Sequence, residues 1–138
     1  MMMKNKIFID TSAFMSLGDK DDRDHINISS LFNKITKQGA DLITTGYIYA
    51  ETINLIKRKK NSYFAIKMGD LIRESEIVEV YSPGNADKEL AWNIFKKYSD
   101  QDFSYTDCVS FAVIQNLRIE QALTLDKDFE IFGIKIIS

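Results

Sequence analysis

Four carboxylates in this 138-residue chain stand where side chains could do chemistry together: Asp10, Glu51, Asp107 and Asp126. Asp10 directly follows the apolar run Lys6-Ile7-Phe8-Ile9, and Asp126 directly follows Ala122-Leu123-Thr124-Leu125. Glu51 interrupts an apolar helical stripe, three residues after Ile48 and four before Leu55. Asp107 closes the run Ser104-Tyr105-Thr106-Asp107 and shares a helical face with Phe103, Phe111 and Ile114. Each also has a plain structural role. An Asp at a strand end caps a helix or sits in a loop. Glu51 can snorkel from a badly phased helix, and Asp107 completes a capping box. Taken together, the four allow more. Carboxylates brought close repel unless protons or cations sit among them. An oxygen-only set suits Mg2+ or Mn2+. Two such ions about 3.5–4 Å apart activate a water and stabilise a leaving oxygen in phosphodiester hydrolysis.

Composition narrows the alternatives. The chain has 20 acidic and 18 basic side chains but one histidine and one cysteine. His25 and Cys108 cannot between them make a structural zinc site, a Cys-x-x-Cys redox pair or an internal disulfide. A formal charge of −2 gives no bulk electrostatic case for nucleic acid, although a local basic surface can hide in such a total. The run Ile7-Phe8-Ile9 is too short for a signal peptide or a membrane span. Met1-Met2-Met3 reads as a ragged start. A single unpaired cysteine fits a reducing compartment, so the cytoplasm is expected.

The elements that must position the acids alternate in type. Short runs rich in Ile, Val and Thr read as buried strands at Lys6–Ile9, 41–44, 77–81, 122–125 and 134–137. Helical periodicity runs through Ile28, Leu31, Phe32 and Ile35, through Phe64, Met68, Leu71 and Ile72, and through Leu90, Ile94, Phe95 and Tyr98. The segment 47–60 carries Glu51, and Thr11-Ser12 are placed to cap the first helix. Residues 108–114 are apolar almost all round, which predicts a central buried helix. The alternation predicts one α/β domain over residues 1–138, with a mainly parallel sheet of roughly five strands. Ligands in such sheets gather beyond the carboxyl ends of the strands, where Asp10 and Asp126 fall.

Four segments in register resemble the motifs of the PIN-domain nucleases: Ile7–Phe14, Tyr49–Leu55, Phe103–Ala112 and Ala122–Phe129. Size and the third and fourth segments are most similar to the VapC toxins of toxin–antitoxin pairs. The resemblance implies a three-layer α/β/α sandwich and a metal-dependent endoribonuclease using Mg2+ or Mn2+. Carried over by position, Asp10, Glu51, Asp107 and Asp126 are the catalytic, metal-binding acids. Asp102 stands where related sequences often carry another acid, and Asp128 is a second acid at a variable position. Ser12 and Thr106 match hydroxyl positions that bind substrate or orient a ligand. Lys57, in the basic run Lys57-Arg58-Lys59-Lys60, is a candidate for guiding RNA phosphates, against the alternative of a solvated helix end. The resemblance further implies an RNA substrate, a cognate antitoxin, a homodimer and no membrane association. A PIN-like RNA- or protein-binding module without nuclease activity is the alternative. A phospho-accepting receiver domain fits worse, because Asp10 lacks a neighbouring acid. A haloacid-dehalogenase-like phosphatase fits no better, with Ser12 where a second Asp is needed.

Overall fold

The computed structural model describes residues 5–137; the Met1–Met3 run, Lys4 and Ser138 lie outside the described residues. The order of elements is β1 (Lys6–Ile9), α1 (Thr11–Leu17), α2 (His25–Lys37), β2 (Asp41–Thr45), α3 (Gly46–Lys59), α4 (Ser62–Glu74), β3 (Val78–Tyr81), α5 (Asn85–Lys97), α6 (Tyr105–Asn116), β4 (Gln121–Leu123), α7 (Asp128–Phe132) and β5 (Lys135–Ile136). All five strands are parallel, in the spatial order β3-β2-β1-β4-β5.

That order fixes where a site can lie. The chain moves outward from β1 to β2 to β3 and then returns to β4 on the other side of β1. Right-handed crossovers therefore put α1–α4 on one face of the sheet and α5–α7 on the other. This is the three-layer α/β/α arrangement that the sequence predicts. The connections leaving β1 and β4 diverge to opposite faces, opening a crevice at their carboxyl ends. Ile9 pairs with Leu123 at that edge, so Asp10 and the residues after Leu123 emerge side by side.

Burial explains why the strands are so apolar. Ile7, Phe8 and Ile9 are each at most 1% exposed, being covered on both faces. Residues Cys108 to Ile114 of α6 are all buried, as the all-round apolar pattern predicts. The Phe111 ring stacks on Phe132 at 4.5 Å and meets Phe129 edge-on at 5.0 Å, while Phe129 approaches Phe8 of β1. The aromatic column locks α6 and α7 onto the sheet. Gly133 ends α7 in the left-handed region, at φ 101°, where a side chain would be strained.

Three local expectations need correction. The fourth strand ends at Leu123 rather than Leu125, because the Thr124 hydroxyl accepts the Asp126 amide proton and turns the chain out of the sheet. Asp126 therefore stands in a turn beyond the strand. In α4 the buried stripe is Ala65, Met68, Gly69 and Ile72, and Phe64 and Leu71 face outward. Apolar residues on both sides of this helix made the phase ambiguous. The first helix starts with Asp10 at its N-cap, and Ser12 bonds elsewhere instead of capping.

Candidate metal centre

The site begins with a buried carboxylate. Asp10 is 5% exposed, set at the end of β1 with its side chain beneath the turn that follows β4. The Thr124 hydroxyl donates to Asp10 Oδ2 at 2.8 Å, and the Ser12 hydroxyl donates to the same oxygen at 3.1 Å. Both hydroxyls accept backbone amide protons in turn, Thr124 from Asp126 at 2.9 Å and Ser12 from Leu125 at 2.9 Å. Each hydroxyl has one proton to give. An ionised Asp10 takes both, so the 3.1 Å approach of Ser12 to Thr124 carries none. The two hydroxyls pin one carboxylate oxygen and tie the end of β1 to the turn after β4. Burial pushes the Asp10 carboxyl above the usual range; these hydrogen bonds and the Thr11 amide oppose the rise, and the Asp126 charge adds to it.

Asp107 enters from the first turn of α6. The capping box is formed: Ser104 Oγ accepts the Asp107 amide at 3.0 Å, and Asp107 Oδ2 accepts the Ser104 amide at 2.9 Å. The same carboxylate also faces the other acids. Burial first, and then the Asp126 and Asp10 charges, push its pKa up to about 6, against the opposing Ser104 amide. Cap and cluster member are thus one residue in two roles.

Asp107, Asp126 and Asp128 each present a carboxylate oxygen, all within 4.8 Å of one another. Asp126 Oδ1 accepts the Asp128 amide at 2.9 Å, which sets the spacing of that pair. Burial, then the Asp126 and Asp102 charges, hold the Asp128 carboxyl above its ordinary value. Among the described residues, ion pairs join Arg23 to Asp24 and Lys60 to Asp19, neither of them at the cluster. An oxygen-only set of half-buried acids fits a hard divalent ion. Thr11 and Ser110 place buried hydroxyls without partners one residue after Asp10 and one turn after Asp107.

The other sequence candidates lie at graded distances. Glu51 sits half-buried in the second turn of α3, outside the 4.8 Å group, as does Asp10. Tyr47, one turn before Glu51 on the same face, meets Tyr105 of α6 edge-on at 6.4 Å, so this part of α3 approaches the N-terminus of α6. Asp102 is exposed beside Asp128. Thr106 is half-buried next to Asp107. Lys57 is exposed in the last turn of α3, lining a cleft with Tyr49, Asp70 and Arg73, and is not brought to the acids. Thr124 is a site residue that the sequence reading passed over. Its signal was a hydroxyl two residues before an acid at a strand end, the pattern of a side-chain-closed turn.

Comparison with known proteins places this geometry among relatives. A PIN domain family model matches residues 7–135. The chain is 28% identical over 127 residues to the 23S rRNA-specific endonuclease VapC20 of Mycobacterium tuberculosis, covering 92% of this chain and 94% of that one. The crystal structure of the same toxin, described as cleaving the sarcin-ricin loop, superposes with a TM-score of 0.84 at 27% identity, over 93% of this chain and 95% of that chain. VapBC2 of Rickettsia felis, bound to a promoter DNA fragment, gives a TM-score of 0.71 at 10% identity over 96% and 97% of the two chains. FitAcB of Neisseria gonorrhoeae gives 0.73 at 11% over 96% of each chain. The last two show likeness of fold.

Proposed function

The chain belongs to the PIN-domain family, and we propose on that footing that it is a divalent-cation-dependent endoribonuclease acting as the toxin of a toxin–antitoxin pair. One observation carries the reading: Asp107, Asp126 and Asp128 converge within 4.8 Å, with Asp10 held beside them by two hydroxyls. Resemblance to a toxin that acts on 23S rRNA supports RNA as the substrate.

In this reading Asp10, Asp107 and Asp126 hold the cation, with Asp128 alongside, Glu51 completing the shell from α3 and Asp102 as an auxiliary acid. Bound there, Mg2+ or Mn2+ supplies the positive charge that activates water and stabilises the leaving oxygen in phosphodiester hydrolysis. The remaining work falls to the chain. Ser12 and Thr124 keep one oxygen of Asp10 occupied and so aim the other. The capping box fixes Asp107 against rotation. Thr106, beside Asp107, offers its hydroxyl to the substrate. Lys57, at the far end of α3, acts on RNA through long-range attraction rather than contact.

An antitoxin partner is supported by a cleft of about 610 Å³ between α1, α3 and α4. Met15, Leu17, Ile56, Phe64, Met68 and Leu71 supply its apolar lining, alongside both lysines (Lys20, Lys59, Lys60, Lys67) and aspartates (Asp19, Asp21, Asp22). Such a surface suits an amphipathic segment of a smaller protein. None of the described helices is long and apolar enough to cross a membrane; action in the cytoplasm, as a homodimer, completes the proposal.

The test is cleavage of total RNA and of isolated 23S rRNA with Mg2+, Mn2+ or chelator, comparing the native chain with Asp10→Asn and Asp107→Asn. Cation-dependent cleavage leaving 5′-phosphate ends, lost in both variants, is the expected result. Equal cleavage by all three would remove the carboxylates from the mechanism. Retained RNA binding with no cleavage under any condition would favour the binding module.

A further inference from the structure

The turn after β4 has two sides, and the cation chemistry uses one of them. Along residues 124–128 burial alternates: Thr124 is buried, Asp126 and Asp128 are half-buried, and Leu125 and Lys127 are exposed. The inner side is spent on the acids, since Thr124 donates to Asp10, and Asp126 and Asp128 join Asp107. Hydrogen bonds fix the turn without the outer side chains. The Leu125 amide donates to Ser12 Oγ, the Asp126 amide to Thr124 Oγ1 and the Asp128 amide to Asp126 Oδ1, each at 2.9 Å. Leu125 is therefore held by its backbone. Its side chain is 42% exposed and belongs neither to the core nor to the partly buried residues packed on it.

Reach and charge say what this outer side meets. Consecutive Cα atoms lie about 3.8 Å apart, so Leu125 stands one residue from Asp126 and one from the Thr124 that holds Asp10. A phosphodiester drawn to the acids carries a nucleoside on each side of it, and one of the two lies against this rim. Charge gives the rim little hold on a phosphate. Lys127 is exposed between Asp126 and Asp128, with the exposed Glu130 three residues on and the exposed Asp102 beside Asp128. What remains is an uncovered apolar side chain, which gains by covering a ribose or base and gains nothing from a phosphate.

We propose that Leu125 is a substrate-contacting residue that packs on the nucleoside adjoining the cut phosphate and favours a purine there. The proposal rests on the ribonuclease reading and deepens it: the turn that delivers two acids to the cation also selects the nucleotide beside it. Apolar contact gains in proportion to the area covered, so the larger base binds better. Without a hydrogen bond to the base edges the preference is modest, about three- to tenfold.

The test is cleavage of total RNA by the full chain in Mn2+, with the new 5′ ends sequenced. Competition among sites then gives a relative kcat/KM at every cut, together with the bases beside it. The native chain is compared with Leu125→Ala, Leu125→Asn and Leu125→Met. The native chain should prefer a purine at one position next to the cut. Leu125→Ala and Leu125→Asn should lower kcat/KM about five- to tenfold and flatten that preference, and Leu125→Met, which covers a similar area, should restore both. The native-to-variant ratio should be the same at about 50 and 200 mM salt, because no charge is lost. Mn2+ affinity by calorimetry and Tm should stay at native values in all three variants. Slower cleavage with weakened Mn2+ binding would overturn the proposal by making Leu125 a support of the turn. A loss confined to low salt would overturn it by making the contact electrostatic. Native rates and base preference in Leu125→Ala would overturn it and leave the leucine to a protein partner. Should Leu125→Ala fail to fold, the native chain decides, since equal use of purines and pyrimidines beside the cut contradicts the proposal. Cleavage indifferent to Leu125 removes this proposal alone; no cation-dependent cleavage by the native chain removes the ribonuclease reading and this proposal with it.

Discussion

Replacing Thr124 by Val tests how the strand-end acid is held. The side chain is 3% exposed, and valine nearly matches its shape, so packing should survive and only the hydroxyl be lost. Two bonds go with it, the 2.8 Å donation to Asp10 Oδ2 and the 2.9 Å acceptance from the Asp126 amide. A hydrogen bond to a charged group contributes about 1.5–3 kcal/mol, and the half-buried Asp126 amide can recover part of its loss from water. The variant should therefore be about 2–3 kcal/mol less stable, a fall in Tm of about 6–10 °C for a chain of this length. With one opposing hydrogen bond gone, burial should drive the Asp10 carboxyl still higher, so that protons compete better with cations. Mn2+ affinity should drop about 10- to 100-fold, as is usual when a group orienting a metal ligand is removed. Thr124→Ser keeps the hydroxyl and should restore most of the affinity. Thermal melts with and without Mn2+, together with calorimetric Mn2+ titration, measure both quantities. A Thr124→Val chain that binds Mn2+ like the native one would refute the claim that this hydroxyl positions Asp10.

Three further outcomes follow from the same geometry. Burial and neighbouring acids raise Asp107 to about 6, above its unfolded value, so folding favours its protonated form. Its contribution to the stability of the cation-free protein is therefore present below the unfolded value and lost as pH rises to about 6. Melts in chelator across that window should show a larger loss in the native chain than in Asp107→Asn, where Asp10 and Asp128 still contribute, and Mg2+ should suppress it. Asp87, 4% exposed, accepts from Tyr81 at 2.7 Å, the Gly84 amide at 2.9 Å and Asn116 at 2.8 Å. Burial raises its pKa, but these three bonds outweigh it and the net value is lowered. Asp87→Asn would set an amide group against donors and should cost about 2–4 kcal/mol in chemical denaturation, with cleavage per folded molecule unchanged. The stability Asp87 supplies is present above the ordinary carboxylate range and lost as pH falls through its lowered value. Phe111→Ala should remove about 3–5 kcal/mol by opening a hole among Phe103, Phe129 and Phe132; an effect under about 1 kcal/mol would contradict the packing described.

Part of the fold was legible in the residues because two signals coincided at Asp10 and at Asp107. Asp10 follows a strand that is buried on both faces, and its bounds in the fold are those read from the apolar run. Ser104 and Asp107 announced a helix start by their spacing, and the start is there. What escaped was fixed by contacts between distant parts of the chain. Nothing local shows that Thr124 meets Asp10, because their 114-residue separation closes only when β1 and β4 pair. The phase of α4 was misread because Phe64 and Leu71 are as apolar as the Met68 and Ile72 that the core takes. Lys57 shares a helix with Glu51, but an offset of six positions carries it about 9 Å along the axis, away from the acids. Asp128 could not be told from a surface acid until the turn after β4 folded it back beside Asp126.

The central claim is that acids from β1, α6 and the turn after β4 bind one divalent centre. Crystals of the native chain soaked in Mn2+ and measured for anomalous scattering test it most directly. The account predicts a peak within coordination distance of Asp107 and Asp126, bordered by Asp10 and Asp128, and absent from Asp107→Asn crystals treated alike. Ordered density for these carboxylates at saturating Mn2+, with no peak among them, would contradict it.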